Sequence, residues 1–187
     1  MEKTSYVALL RGINVGGNNI IKMSELKIIF EKMDLFDVQT YIQSGNVVFN
    51  AFGKDKLKLV GKIEKKLSET LNNEAKVSLL ALPEMDEIIG RKPYRYGEED
   101  EKYKYDIIFF IEPLTAKEAI KGIRARESVD EAYEGNKVIY FRRLKEKIAK
   151  TYLTKIIGTP IYKYMTLRNW NTTEKLFNLM KGINNTK

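Results

Sequence analysis

Along this chain, period-two and period-3.6 hydrophobic patterns follow one another in the same order twice, and few architectures accept that order. Residues 4–10 end in a continuous apolar run, Val7 to Leu10, as a central strand does. After a loop at 11–22, Leu26, Ile29, Phe30 and Met33 form the stripe of an amphipathic helix, with Ser24 its expected N-cap and Asp34 its end. Residues 37–43 alternate and place Val38, Thr40 and Ile42 on one face. Ser44-Gly45-Asn46 reads as a tight turn, with Val47 to Phe52 as the return strand. Val60, Ile63, Leu67 and Leu71 mark a helix over 55–72. Residues 75–82 form the next strand, and Pro83 opens a short helix to Ile89.

Gly90, Pro93 and Gly97 then punctuate residues 90–104, and Glu98 to Glu101 form an acidic run. Past this connection the order returns. Tyr105 to Ile111 is an apolar strand, and Thr115 with Glu118 makes a capping box before Ala119, Ile120 and Ile123. Residues 128–134 alternate, Gly135-Asn136 signals a type II′ hairpin, and Lys137 to Arg142 returns. A helix is expected over 145–157, with Ile148, Tyr152, Leu153 and Ile156 inward, and a last strand from Thr159 to Met165. Asn171 with Glu174 predicts the cap of a final helix carrying Leu176, Phe177, Met180 and Ile183, ended by Gly182. Each half therefore reads β-α-β-β-α-β, the ferredoxin-like order when crossovers are right-handed. The expected fold is α+β: two ferredoxin-like subdomains with antiparallel sheets, at 1–90 and 105–187, joined by a connection at 91–104, the second carrying the C-terminal helix.

Composition then restricts the chemistry. The chain has neither cysteine nor histidine. That excludes disulfides, thiol nucleophiles and the commonest zinc ligands and general base. Any catalysis falls to carboxylates, Lys, Tyr or Ser/Thr, and no catalytic residue or cofactor motif can be named from the pattern. The acidic run 98–101 reads as a solvated loop, and no metal site is expected. The apolar run after Tyr6 is too short for a leader or a membrane span, so a cytoplasmic location without membrane contact is expected. A net charge of +8 permits an anionic partner or nucleic acid, although the lysines at 54–66 are interleaved with Glu64 as on a solvated helix face. No pattern specifies an oligomeric state.

Three stretches hold the candidate site residues. In the first loop Arg11, Gly12, Asn14, Gly16, Gly17 and Lys22 combine two cations with glycines that let backbone N–H groups approach an anion. The spacing G-x-x-x-G-G matches neither the dinucleotide fingerprint nor the Walker A loop. Ser44 and Asn46 lie in the hairpin turn, and Arg168 and Asn169 lie near the only tryptophan, Trp170. Each stretch also has a purely architectural reading: the glycines shape a connection, the turn closes a hairpin and Trp170 anchors the last helix.

A-L-L-R-G-I-N-V-G-G at 8–17, T-Y-I-Q-S-G-N-V-V-F at 40–49 and T-L-R-N-W-N-T at 166–172 together resemble the signatures of domain of unknown function 1697, a family of small, mostly bacterial proteins. The resemblance implies an α+β fold of two ferredoxin-like subdomains and carries no activity. The leading expectation is binding of a small phosphate- or carboxylate-bearing ligand at the Gly/Asn-rich loop 11–19. Alternatives are an enzyme on an anionic metabolite that uses neither His nor Cys, and a nucleic-acid module presenting aromatic rings from a sheet. The last is an inference from fold analogy alone.

Overall fold

A computed structural model of the 187-residue chain describes residues 3–14, 20–53 and 55–185. Strands β1 (Lys3–Leu10), β2 (Phe36–Tyr41), β3 (Asn46–Phe52) and β4 (Val77–Ala81) form an antiparallel sheet in the order β2-β3-β1-β4. Helices α1 (Met23–Glu31) and α2 (Lys56–Leu71) cross between its strands. This is the ferredoxin-like arrangement. Alternation puts Tyr6, Ala8 and Leu10 of β1 and Val47, Phe49 and Ala51 of β3 in one core with Leu26, Phe30, Ile63 and Leu67 of the two helices. Phe49 stacks on Tyr6 and meets the tilted ring of Phe30 at 5.5 Å. The Asp55 carboxylate accepts the Lys58 N–H at the head of α2, whereas α1 starts one residue before Ser24, with Lys22 at the cap position and no side-chain cap. The last predicted residue of the β2 face, Ile42, has turned outward: it sits at φ 45° in the hairpin and is exposed.

The second sheet repeats the first. Strands β5 (Tyr103–Phe110), β6 (Asp130–Glu134), β7 (Val138–Leu144) and β8 (Met165–Asn169) pair antiparallel in the order β6-β7-β5-β8. Between the two sheets in sequence lies α3 (Leu82–Gly90). Helix α4 (Ala116–Gly122) follows β5, and its Thr115/Glu118 capping box is present on both sides. The chain closes with α5 (Trp170–Asn184). It divides into two units, Met1–Met85 with Lys175–Lys187, and Asp86–Glu174. The last helix, expected to lie wholly in the second half, is thus shared. In the first unit its C-terminal end meets the sheet, where Asn50 Nδ2 donates to the Ile183 carbonyl at 3.0 Å.

Further local expectations are corrected. The helix expected at 145–157 is replaced by 3-10 segments at Lys145–Lys150, Leu153–Gly158 and Pro160–Tyr164. Its break at Thr151 is held from outside, because the buried Asp130 carboxylate takes the Thr151 hydroxyl at 2.7 Å and the Tyr152 N–H at 2.8 Å. The last strand consequently begins at Met165 rather than Thr159 and contains Arg168 and Asn169. The β6–β7 hairpin turns at Asn136-Lys137, with Lys137 at φ 63° and Gly135 N donating to the Val138 carbonyl. Gly135 is needed for closeness rather than for a type II′ turn, since a Cβ there would sit 2.5 Å from the Tyr140 ring. Finally, Asn169 and not Asn171 caps α5, its Oδ1 accepting the Thr172 N–H at 2.7 Å, and Gly182 lies inside the helix.

Candidate functional site

In the first unit the end of β1 is gripped from both sides. Leu10 N donates to the Gly45 carbonyl at 2.8 Å and Arg11 N to the Lys76 carbonyl at 3.0 Å. The first two sequence signatures therefore meet. Gly45, at φ 68°, lies so close that an added Cβ would stand 2.9 Å from Leu10 Cβ and 3.0 Å from Ile13 Cβ. Ile13 is buried beneath this turn. Asn46 is fully buried, its amide donating to the Tyr41 carbonyl at 3.1 Å and the Ser44 hydroxyl at 2.9 Å. Both residues proposed as ligands in that turn are thus engaged in shaping it.

The loop itself has a closed neck. Asn14, at φ 55°, donates its amide to the Ile21 carbonyl at 3.0 Å and accepts the Ile21 N–H on Oδ1 at 2.8 Å. One side chain thereby imitates a strand partner and ties the chain leaving β1 to the chain entering α1. Arg11 and exposed Gly12 stand on the outgoing arm and exposed Lys22 on the returning arm. Gly16 and Gly17, the other loop candidates, lie outside the described residues.

Arg168 and Asn169 belong to the second unit. Arg168 pairs in register with Ile107, is 8% exposed, and donates Nη1 to the Thr166 hydroxyl at 2.8 Å and to the Leu167 carbonyl at 2.7 Å. Burial lowers its pKa to about 10. Trp170 is 2% exposed, as its architectural reading requires, and packs edge-on to Tyr96 at 5.4 Å with Lys92 Nζ 5.7 Å from its ring. Tyr96 was hidden in the punctuated connection. Arg95 and Gly97 both have positive φ, which turns the Tyr96 ring inward while Tyr94 stays 91% exposed. Its hydroxyl donates to the Asp106 carbonyl at 2.8 Å, and desolvation drives its pKa well upward.

The aromatic rings of the sheets divide between exposed and buried: Phe36 on β2 and Phe52 on β3 are exposed and meet edge-on at 5.3 Å. Tyr105 and Tyr140, on the face of the second sheet opposite α4, are buried, and in the first sheet the corresponding positions Ser5, Val7, Leu9 and Val48 are buried as well. A half-exposed polar cluster on that face of the second sheet joins Arg142, Glu131, Tyr133 and Tyr103. Arg142 Nη2 donates to both Glu131 oxygens at 2.8 Å, and its guanidinium lies 4.5 Å from the Tyr103 ring. Burial opposes ionisation of Glu131, but the bonds from Tyr133 and Arg142 outweigh it and hold its pKa below the usual carboxylate value. Burial and the Glu131 charge raise the Tyr133 pKa, the reverse of what a phenolate nucleophile needs. Among the described residues no group of three acidic side chains is placed to hold a metal, and no helix is long and apolar enough to cross a membrane.

A family model described as a protein of unknown function, DUF1697, matches residues 3–140. The chain belongs to this family. The DUF1697 match spans the first two signatures, while 166–172 lies beyond it. No curated protein matches the sequence. Among solved structures, conserved bacterial protein SP0830 from Streptococcus pneumoniae is 28% identical, with a TM-score of 0.83 over 96% of this chain and 99% of that one. That neighbour shares the α+β fold of this DUF1697 member.

Proposed function

We propose that this protein binds a small phosphate- or carboxylate-bearing molecule at the loop that follows β1. The observation carrying the reading is the Asn14 clamp on Ile21, which closes the loop neck between a strand end and a helix start and holds Arg11 and Lys22 on its two arms. A guanidinium and an ammonium on the two arms of a loop that leads into α1 suit an anion, because the helix end adds partial positive charge. The net charge of +8 attracts such a ligand over distance. Binding ranks above catalysis because the side-chain pairs described above contain no activated nucleophile.

The test is a thermal-shift series with inorganic phosphate, pyrophosphate and citrate at low ionic strength. A ligand at a hundred times its dissociation constant adds about 2.7 kcal/mol to stability. Arg11→Met should remove that gain and leave the unliganded protein folded. Equal shifts for the wild type and Arg11→Met would show that the anions act elsewhere, and the reading would fall.

A further inference from the structure

The second unit carries a basic surface that the loop site does not use. Between Lys145 and Lys163 five lysines stand against a single acid, Glu146. This is the stretch where 3-10 segments replace the expected helix. Its folding is governed by Asp130, which accepts the Arg126 N–H at 3.1 Å in addition to Thr151 and Tyr152. One buried carboxylate thus gathers two separate stretches of chain. Arg126 then donates Nη1 to the Lys150 carbonyl at 3.3 Å and lies 5.5 Å from the Tyr152 ring, while Lys155 Nζ sits 3.6 Å from the same ring. Lys147 stands three residues before Lys150 in the same segment. Arg126, Lys147, Lys150 and Lys155 are exposed, and none forms an ion pair with a carboxylate among the described residues. Glu127 and Glu146 are the acids nearest in sequence, and both are exposed.

We infer that this patch is a contact surface for the phosphate backbone of a nucleic-acid strand. Four exposed cations carried by one junction, two of them against the Tyr152 ring, match a repeating polyanion better than a single small anion. The Tyr152 ring already carries two cations, so it fixes them rather than stacking on a base. Recognition is therefore of backbone charge and not of sequence. An anionic membrane is the poorer fit. A membrane-lying segment keeps an apolar face for insertion, whereas Leu153 and Ile156 here are buried in the core of the unit and leave only Ile157 outside.

Fluorescence anisotropy with labelled mixed-sequence RNA and DNA single strands of about 20 nucleotides, titrated at several KCl concentrations, tests this. With four phosphate contacts the log–log salt slope should be about −2.8, or about a 50-fold loss of affinity between ~50 and ~200 mM KCl. The triple substitution Lys147→Gln, Lys150→Gln, Lys155→Gln should reduce that loss to about threefold. The same charge change on α2, Lys58→Gln, Lys65→Gln, Lys66→Gln, should leave the slope unaltered, and circular dichroism checks the fold of both variants. Equal effects of the two triples would reduce the binding to overall charge and overturn the inference. So would absence of binding at the lowest salt, or tighter binding to phosphatidylserine vesicles than to either strand.

Discussion

Gly97→Ala should destabilise the second unit by about 2–5 kcal/mol, and the share due to the indole clash should vanish when Trp170 is absent. Two terms make up the estimate. Gly97 has φ 86°, where an L-residue bears roughly 1–2 kcal/mol of strain. Its new Cβ would lie 2.6 Å from Trp170 Cδ1 and closer still to Nε1, so the indole must move within a packed core, at about 1–3 kcal/mol. Trp170→Ala alone should cost about 3–5 kcal/mol, with about 0.5–1.5 more for the lost edge-on contact with Tyr96. In the double variant the backbone strain persists and the clash does not. Its cost should fall short of the sum of the single costs by about 1–3 kcal/mol. Urea unfolding followed by circular dichroism measures all four proteins; fluorescence does not serve, because Trp170 is the only tryptophan. Additivity within about 0.5 kcal/mol would refute the close approach of Gly97 to the indole.

Asp130→Ala should lower stability by about 2–5 kcal/mol, since the buried Thr151 hydroxyl and the Tyr152 N–H lose a charged acceptor; it should also weaken binding of the labelled strands although it adds positive charge, and tighter binding would show that patch geometry is irrelevant. Burial raises Tyr140 to about 12 and Tyr96 further, so their folded pKa values exceed the unfolded value near 10. Their stabilising contribution is complete below pH 10 and declines as pH rises from there, because the unfolded chain loses protons first. In an alkaline titration read by tyrosinate absorbance, these two of the eleven tyrosines should ionise only with unfolding; a fully ionised yet folded protein would contradict their burial.

Much of the architecture was legible because each strand and long helix carries its own periodicity. Leu26 and Phe30, or Ile63 and Leu67, face the core as their spacing requires. The failures share a cause. At 145–157 the apolar spacing suits a helix, but Asp130, more than a dozen residues upstream, bonds Thr151 and Tyr152 out of it. Gly135 resembles a turn glycine, yet it answers to the Tyr140 ring on the facing strand. Tertiary partners decided these cases, and local sequence does not contain them. The same holds for the loop candidates. Asn14 and Asn46 stood out as polar residues among glycines, and the structure shows what their amides bond. The places of Arg126 and Lys155 at the Tyr152 ring, and the Arg126 bond to the Lys150 carbonyl, likewise depend on the Asp130 junction rather than on local sequence.

The shared last helix gives the first unit an order of birth. Asn50 on β3 receives its Ile183 acceptor from a segment synthesised after the whole second unit. At about 5–20 residues per second, the roughly ninety residues from Met85 to Lys175 separate the two events by about 5–20 s. Throughout that interval on the ribosome the Ser5 and Asn50 end of the first sheet waits without its final strap. The unit encoded first is therefore the one completed last, and a ribosome stalled before Lys175 leaves it open to chaperones and proteases.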